Sequence, residues 1–230
     1  MNNWPKITIS IKRLFFEKKY IDLRIELLYN HNWVRKMIYS TRELYLMFKE
    51  YRTPHIKIKT EVKNNRLFPV IRGLYEDNIN TPGYRLVSYI EPNAYLSFEY
   101  VLSFSGLIPE RVYTYTCATS LKGHTKKIET AFGNYLFQDI PLEAYMYGVK
   151  NITEEGYTYL MATPEKALCD LLYKVKPVYS VKELKELLFD NLRIDYDLFI
   201  RLNMTDIIYL CSLYKKKNLH FLKKYLEGLR

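Results

Sequence analysis

The sequence predicts an α+β protein: an N-terminal winged helix-turn-helix, then a mixed α/β domain that ends in a helical bundle. Three observations carry this prediction. The positive surplus lies entirely in the first third of the chain. In that third, cap and stop signals bracket two short helices and a hairpin. Beyond a Pro/Gly/Asn-rich linker, alternating aromatic runs give way to capped segments with helical apolar spacing.

The chain has 230 residues, with 35 Lys or Arg against 25 Asp or Glu, a formal charge of +10. At roughly 100–200 residues per domain this is one or two domains. Hydrophobic residues make up 48 %, which excludes a disordered chain. The longest apolar runs fall well short of the roughly 18 residues that span a bilayer, and no stretch reads as a signal peptide. Cys117, Cys169 and Cys211 are few and far apart, which points to a reducing compartment and a cytoplasmic location without a disulfide framework. Residues 1–75 carry 16 Lys or Arg and 6 Asp or Glu, a surplus of ten, whereas residues 76–230 carry 19 of each. Segregated charge of this kind is expected where one domain touches phosphates and another does not.

Residues 40–75 read as helix, turn, helix and wing, within a DNA-binding domain over 37–77. Ser40 and Glu43 have capping-box spacing, and the apolar positions Leu44, Leu46, Met47 and Phe48, with Tyr45 beside them, continue a helix over about 41–50. Thr53 and Pro54 mark a second start as N-cap and first helical residue. The run from His55 to Lys63 alternates as a strand would at Ile56, Ile58, Thr60 and Val62. The start signal and the stop at Asn64 and Asn65 decide for a helix. Leu67 to Tyr75 reads as a short β-wing with Gly73 at its tight point. On this reading Thr53, His55, Lys57, Lys59, Lys63, Arg66 and Arg72 contact DNA, the helix reaching phosphates or base edges and the two arginines flanking the wing. A Lys57→Glu, Lys59→Glu pair is then expected to abolish binding without unfolding. Residues 1–36 form an extension, with a first helix of the DNA-binding unit expected somewhere in 20–38. Met37 stands just before the capping box, and translation starting there is a further expectation, checked by intact mass.

Residues 76–83, with Asn78, Asn80, Pro82 and Gly83, read as the linker. Tyr84 to Ile90 reads as a helix, as does the segment Ser97 caps and Gly106 ends. Strands are expected over Val112–Thr119, over Lys127–Thr130 paired with Gly133–Gln138, and over Tyr157–Met161. Thr163 and Pro164 start a helix over about 164–174. The last fifty residues read as helical, with Ser180 and Glu183 as a second capping box and Asp195, Thr205 and Asn218 as further caps.

Signals for chemistry are sparse. His31, His55, His124 and His220 have no metal-like spacing, no cysteine pair has zinc spacing, and there is no phosphate loop, dinucleotide fingerprint or nucleophile elbow. No cofactor is expected and no enzymatic activity is assigned. Two alternatives stay open. One is a nuclease-like enzyme, with Glu129 and Asp139, or Glu165, Lys166 and Asp170, as its acidic cluster. The other is a ligand-sensing regulator that uses some of the 23 tyrosines to line a pocket.

Four segments occur in order: "LFPVIRGLY", "AYLSFEYVLSFSGLIPERVYTYTCAT", "KKIETAFGNYLFQDIP" and "YLMATPEKALCDLLY". With the helical end, they make the chain from about Ser40 onward resemble the AbiEi-type antitoxins of bacterial type IV toxin–antitoxin, or abortive-infection, systems. The segment "PHIKIKTEVKNNRLF" departs from the Leu-rich pattern usual there. The resemblance implies a non-catalytic regulator with an antitoxin domain over 84–230. Its winged helix would bind inverted repeats in the promoter of its own operon, as a dimer or as monomers that meet on the double-stranded DNA. The larger domain would counteract a nucleotidyltransferase-like toxin without a stable complex. No membrane partner is implied.

Overall fold

A computed structural model describes residues 37–229. The extension expected over 1–36 lies outside the described residues, as does most of the stretch in which its helix was placed; Ile38 itself opens a strand. β1 (Ile38–Ser40) runs directly into α1 (Thr41–Met47). The capping box at this start is complete: Glu43 N–H donates to Ser40 Oγ at 3.3 Å and Ser40 N–H to Glu43 Oε2 at 2.8 Å. A turn leads to α2 (Pro54–Lys63). The helical reading of this ambiguous run holds, because Pro54 pre-sets its first turn and Asn65, at φ 55°, takes the chain out beyond the Asn64 cap. β2 (Phe68–Ile71) and β3 (Leu74–Glu76) form a hairpin with Arg72 and Gly73 at its tip. Gly73 adopts φ 86°, a conformation that only glycine takes without strain. β3 is the central strand of a three-stranded sheet, paired antiparallel with both β1 and β2. Tyr39, Leu44, Phe48, Ile58 and Leu67 form the small core beneath it.

A 3-10 turn (Gly83–Leu86) continues into α3 (Val87–Ile90), where a single helix was expected. Next come β4 (Tyr95–Leu96), α4 (Phe98–Phe104), β5 (Thr114–Thr119), β6 (Lys126–Thr130) and β7 (Gly133–Asp139). β8 (Val149–Glu154) and β9 (Tyr157–Ala162) follow. These strands make a mixed sheet in the order β6-β7-β5-β4-β9-β8, with β5/β7 and β4/β9 parallel. Gly83 is packed so closely here that a Cβ would lie 2.2 Å from the Phe132 carbonyl oxygen.

The remaining helices are α5 (Pro164–Lys174), α6 (Val181–Lys185, continued by a π-helical turn to Asn191), α7 (Tyr196–Phe199), α8 (Met204–Leu213) and α9 (Lys217–Glu227). α5 packs against α4, α8 and α9. Its residues from Lys166 to Leu172 are all buried, so it is the central helix of this part. Ile38 and Val70 of the first sheet belong to the same large core. No helix among the described residues is long and apolar enough to cross a membrane.

Several expected caps differ. Thr53 and Ser97 occupy N-cap positions, yet neither side chain caps. Ser97 Oγ instead donates to Asp170 Oδ2 at 2.7 Å. At α8 the cap is Asn203, which accepts from the N–H groups of Thr205 and Asp206. Asn218 lies inside α9, buried, where it accepts from Val178 N–H and donates to the Leu172 and Lys176 carbonyls. Asn218 is the side-chain partner of these backbone groups at and beyond the end of α5, and satisfying buried backbone groups outweighs capping a helix at the surface.

Candidate nucleic-acid interface

The helical period divides α2 into two faces. Ile58 and Glu61 are buried and Pro54, Lys57 and Val62 half-buried, whereas His55, Ile56, Lys59, Thr60 and Lys63 are exposed. His55, Lys59 and Lys63 recur every four residues and so lie in one outward stripe. Thr53, Arg66 and Arg72 are exposed as well, Arg72 at the hairpin tip.

Lys57 is placed differently. Its side chain is only 20 % exposed and its ammonium pairs with Glu61 Oε1 at 2.8 Å, over the rings of Tyr51 and Phe48. Burial pulls its pKa down, but hydrogen bonding and attraction to Glu61, with a contribution from Tyr51, outweigh this and leave it raised. Arg66 Nη1 stands 3.6 Å from the other Glu61 oxygen. Lys57 thus ties α2 to the aromatic end of α1.

Three further basic residues of this module are exposed: Arg42, Lys49 and Arg52. Of its acidic residues, Glu61 and Glu76 are buried, Asp77 is half-buried, Glu43 sits half-buried in the capping box, and only Glu50 is exposed. The exposed charge is therefore more one-sided than the sequence count suggests. Arg42 was legible as the position before the capping-box glutamate, and Arg52 as the residue before the Thr53 start.

Glu76 ties this module to the second sheet. It is fully buried, accepts from Tyr157 Oη at 2.8 Å and Thr81 Oγ1 at 3.2 Å, and leaves Oε2 without a hydrogen-bond partner. Burial raises its pKa, and the donated hydrogen bonds only partly offset this.

In the larger part the acidic residues have other work. Glu129 lies opposite Asn134, while Asp139, at the far end of β7, accepts from Thr119 Oγ1 and from the N–H groups of Lys122 and Gly123. The register does not bring the two together. Glu165 accepts from Asn203 N–H at 3.0 Å. Lys166 and Asp170, both 0 % exposed, pair at 2.9 Å. Asp170 also accepts from Tyr214 Oη at 2.5 Å, Ser97 Oγ at 2.7 Å and Tyr95 Oη at 3.1 Å, and Lys166 bonds Tyr214 as well. Burial lowers the Lys166 pKa, against the raising pull of Asp170. Among the described residues no three His, Cys, Asp or Glu side chains are grouped as a metal site. Tyr100, Tyr113 and Tyr115, with Phe104 and Arg111, line a cavity of about 330 Å³.

No family model and no curated protein matches the chain. Among solved structures it is similar to the RV2827C protein from Mycobacterium tuberculosis. The TM-score is 0.54 at 12 % identity, over 84 % of this chain and 72 % of that one. At this identity the likeness is one of fold.

Proposed function

We propose that this chain is a DNA-binding antitoxin and autorepressor of a type IV toxin–antitoxin operon. In this reading Ile38–Glu76 acts as a winged helix-turn-helix. The observation that carries it is the outward stripe of His55, Lys59 and Lys63 on α2, beside the exposed Arg66 and Arg72. The carboxylates of the module are turned inward apart from Glu50. Such a face neutralises phosphates, and its second helix presents side chains to base edges in the manner of a recognition helix. Lys57 supports the helix pair from within instead of touching DNA. The antitoxin role of the larger part rests on the AbiEi-type resemblance.

One experiment addresses both halves. The reading requires a nucleotidyltransferase-like reading frame next to this one; the chain is co-expressed with that product, and the purified chain is titrated onto its own upstream duplex. Relief of toxicity together with a retarded duplex is the expected outcome. A chain that binds no upstream DNA and relieves no toxicity sinks the reading. A ligand-sensing regulator is the second reading, favoured by the tyrosine-lined cavity beside β5.

A further inference from the structure

Residues 214–224, at the start of α9, contain five lysines and one histidine and no carboxylate, although the chain from residue 76 onward is balanced. Lys215, Lys216, Lys217, Lys223 and His220, with Ser212, line a cavity of about 460 Å³ between the end of α8 and the first turns of α9. Among the described residues no carboxylate lines it; the Glu227 carboxylate stands 3.9 Å from Lys223 Nζ outside. One wall is Tyr214, whose hydroxyl is fixed by Asp170 and Lys166, so the hollow has a rigid floor. Aromatic rings, not carboxylates, face two of these lysines: Lys216 Nζ lies 5.4 Å from the Tyr173 ring centre and Lys217 Nζ 4.3 Å from that of Tyr179. Lys216 and Lys217 stand at the start of an eleven-residue helix that has no side-chain cap and no acidic residue in its first turn. The positive end of a helix dipole favours the opposite charge. Like charges gathered around one hollow, with no carboxylate among its lining residues, suit an anion.

We propose that this cavity binds a phosphate-bearing small molecule of nucleotide size. Its volume lies within the range of roughly 300–1,000 Å³ typical of ligand pockets. A duplex backbone would instead meet a basic stripe along one face or helix, whereas Lys215, Lys216, Lys217, His220 and Lys223 line one open hollow between two helices. The site is separate from the α2 face and does not depend on DNA binding there.

The test is calorimetric titration of the full chain with ATP, pyrophosphate and adenosine, repeated on the Lys215→Glu, Lys217→Glu variant. ATP and pyrophosphate are expected to bind, adenosine is not, and the variant is expected to bind ATP at least tenfold more weakly. The ligand-free variant should unfold within a few degrees of the parent, because a carboxylate in place of the Lys217 ammonium suits the positive end of the helix dipole and offsets the lost contact with the Tyr179 ring. Should its circular dichroism show an unfolded chain, Lys215→Gln with Lys223→Gln serves instead and is read the same way. No binding of ATP or pyrophosphate, equal binding by the variant, or adenosine binding as tightly as ATP each overturns the proposal. So does a variant that loses duplex-DNA affinity while the parent binds no ATP, which would make the patch a nucleic-acid surface.

Discussion

Lys57 and Glu61, one turn apart on α2, form a 2.8 Å ion pair that faces Tyr51 and Phe48 of the preceding helix and turn instead of solvent. Lys59, two residues on, faces outward. Two lysines of similar sequence context therefore do different jobs. Lys57→Glu would set two carboxylates side by side in a half-buried site, and we predict a loss of about 2 kcal/mol in urea unfolding. Lys59→Glu should stay within about 0.5 kcal/mol of the parent, as exposed substitutions usually do. The pair of changes suggested by sequence would thus mix unfolding with loss of contact.

The Glu76–Tyr157 hydrogen bond, 2.8 Å, joins the first sheet to the second. Burial raises the Glu76 pKa. Between the ordinary value of 4.5 and the raised folded value the folded state holds a proton that the unfolded chain gives up, so the contribution of this group is fully present only below 4.5. It is lost as pH rises through the raised folded value. Glu76→Gln mimics the protonated form. We predict that the stability of the parent relative to this variant improves as pH falls through the raised folded value toward 4.5, measured as urea midpoints.

Asp170 accepts from four donors, whereas Lys166 has two polar partners. Removing the carboxylate strands a buried ammonium, so Asp170→Ala should cost about 3–5 kcal/mol. Lys166→Met leaves Asp170 three hydroxyl donors and should cost clearly less. Equal losses in denaturant titrations would contradict this account of the network.

Gly83 has no room for a side chain: a Cβ would meet the Phe132 carbonyl at 2.2 Å and the Tyr115 ring at 2.5 Å. Gly83→Ala is expected to lower stability by about 2–3 kcal/mol through overpacking. Gly123→Ala, with nothing within 4 Å but a φ of 75°, should lose only about 1 kcal/mol through strain. Thermal unfolding of the two variants would separate them.

Elements with end signals were legible in the sequence. The Ser40–Glu43 box, Pro54 with Asn64 and Asn65, and Thr163 with Pro164 each fix a helix through neighbouring residues alone. β8 was missed because Val149–Glu154 is mixed in polarity and half-exposed. Its hairpin signal is the Glu155–Gly156 turn, both residues at positive φ, a pair less distinctive than Asn-Gly. Ser97 and Asn218 look like caps locally, and only the long-range approach of Asp170 and of the 172–178 stretch redirects them. In the basic module, the lysine positions were visible but not their direction. That depended on Glu61 being buried, which no spacing rule states for a charged residue on a short helix.

Binding of the upstream duplex by a Lys59→Glu, Lys63→Glu variant tests the central claim most directly, read by fluorescence anisotropy over a range of salt. Both side chains are exposed on the outward stripe, so the variant should keep the parent's unfolding midpoint. Its affinity is expected to be at least tenfold weaker and its salt dependence shallower by about two phosphate contacts. Unchanged affinity and an unchanged salt slope in a folded variant would contradict the claim.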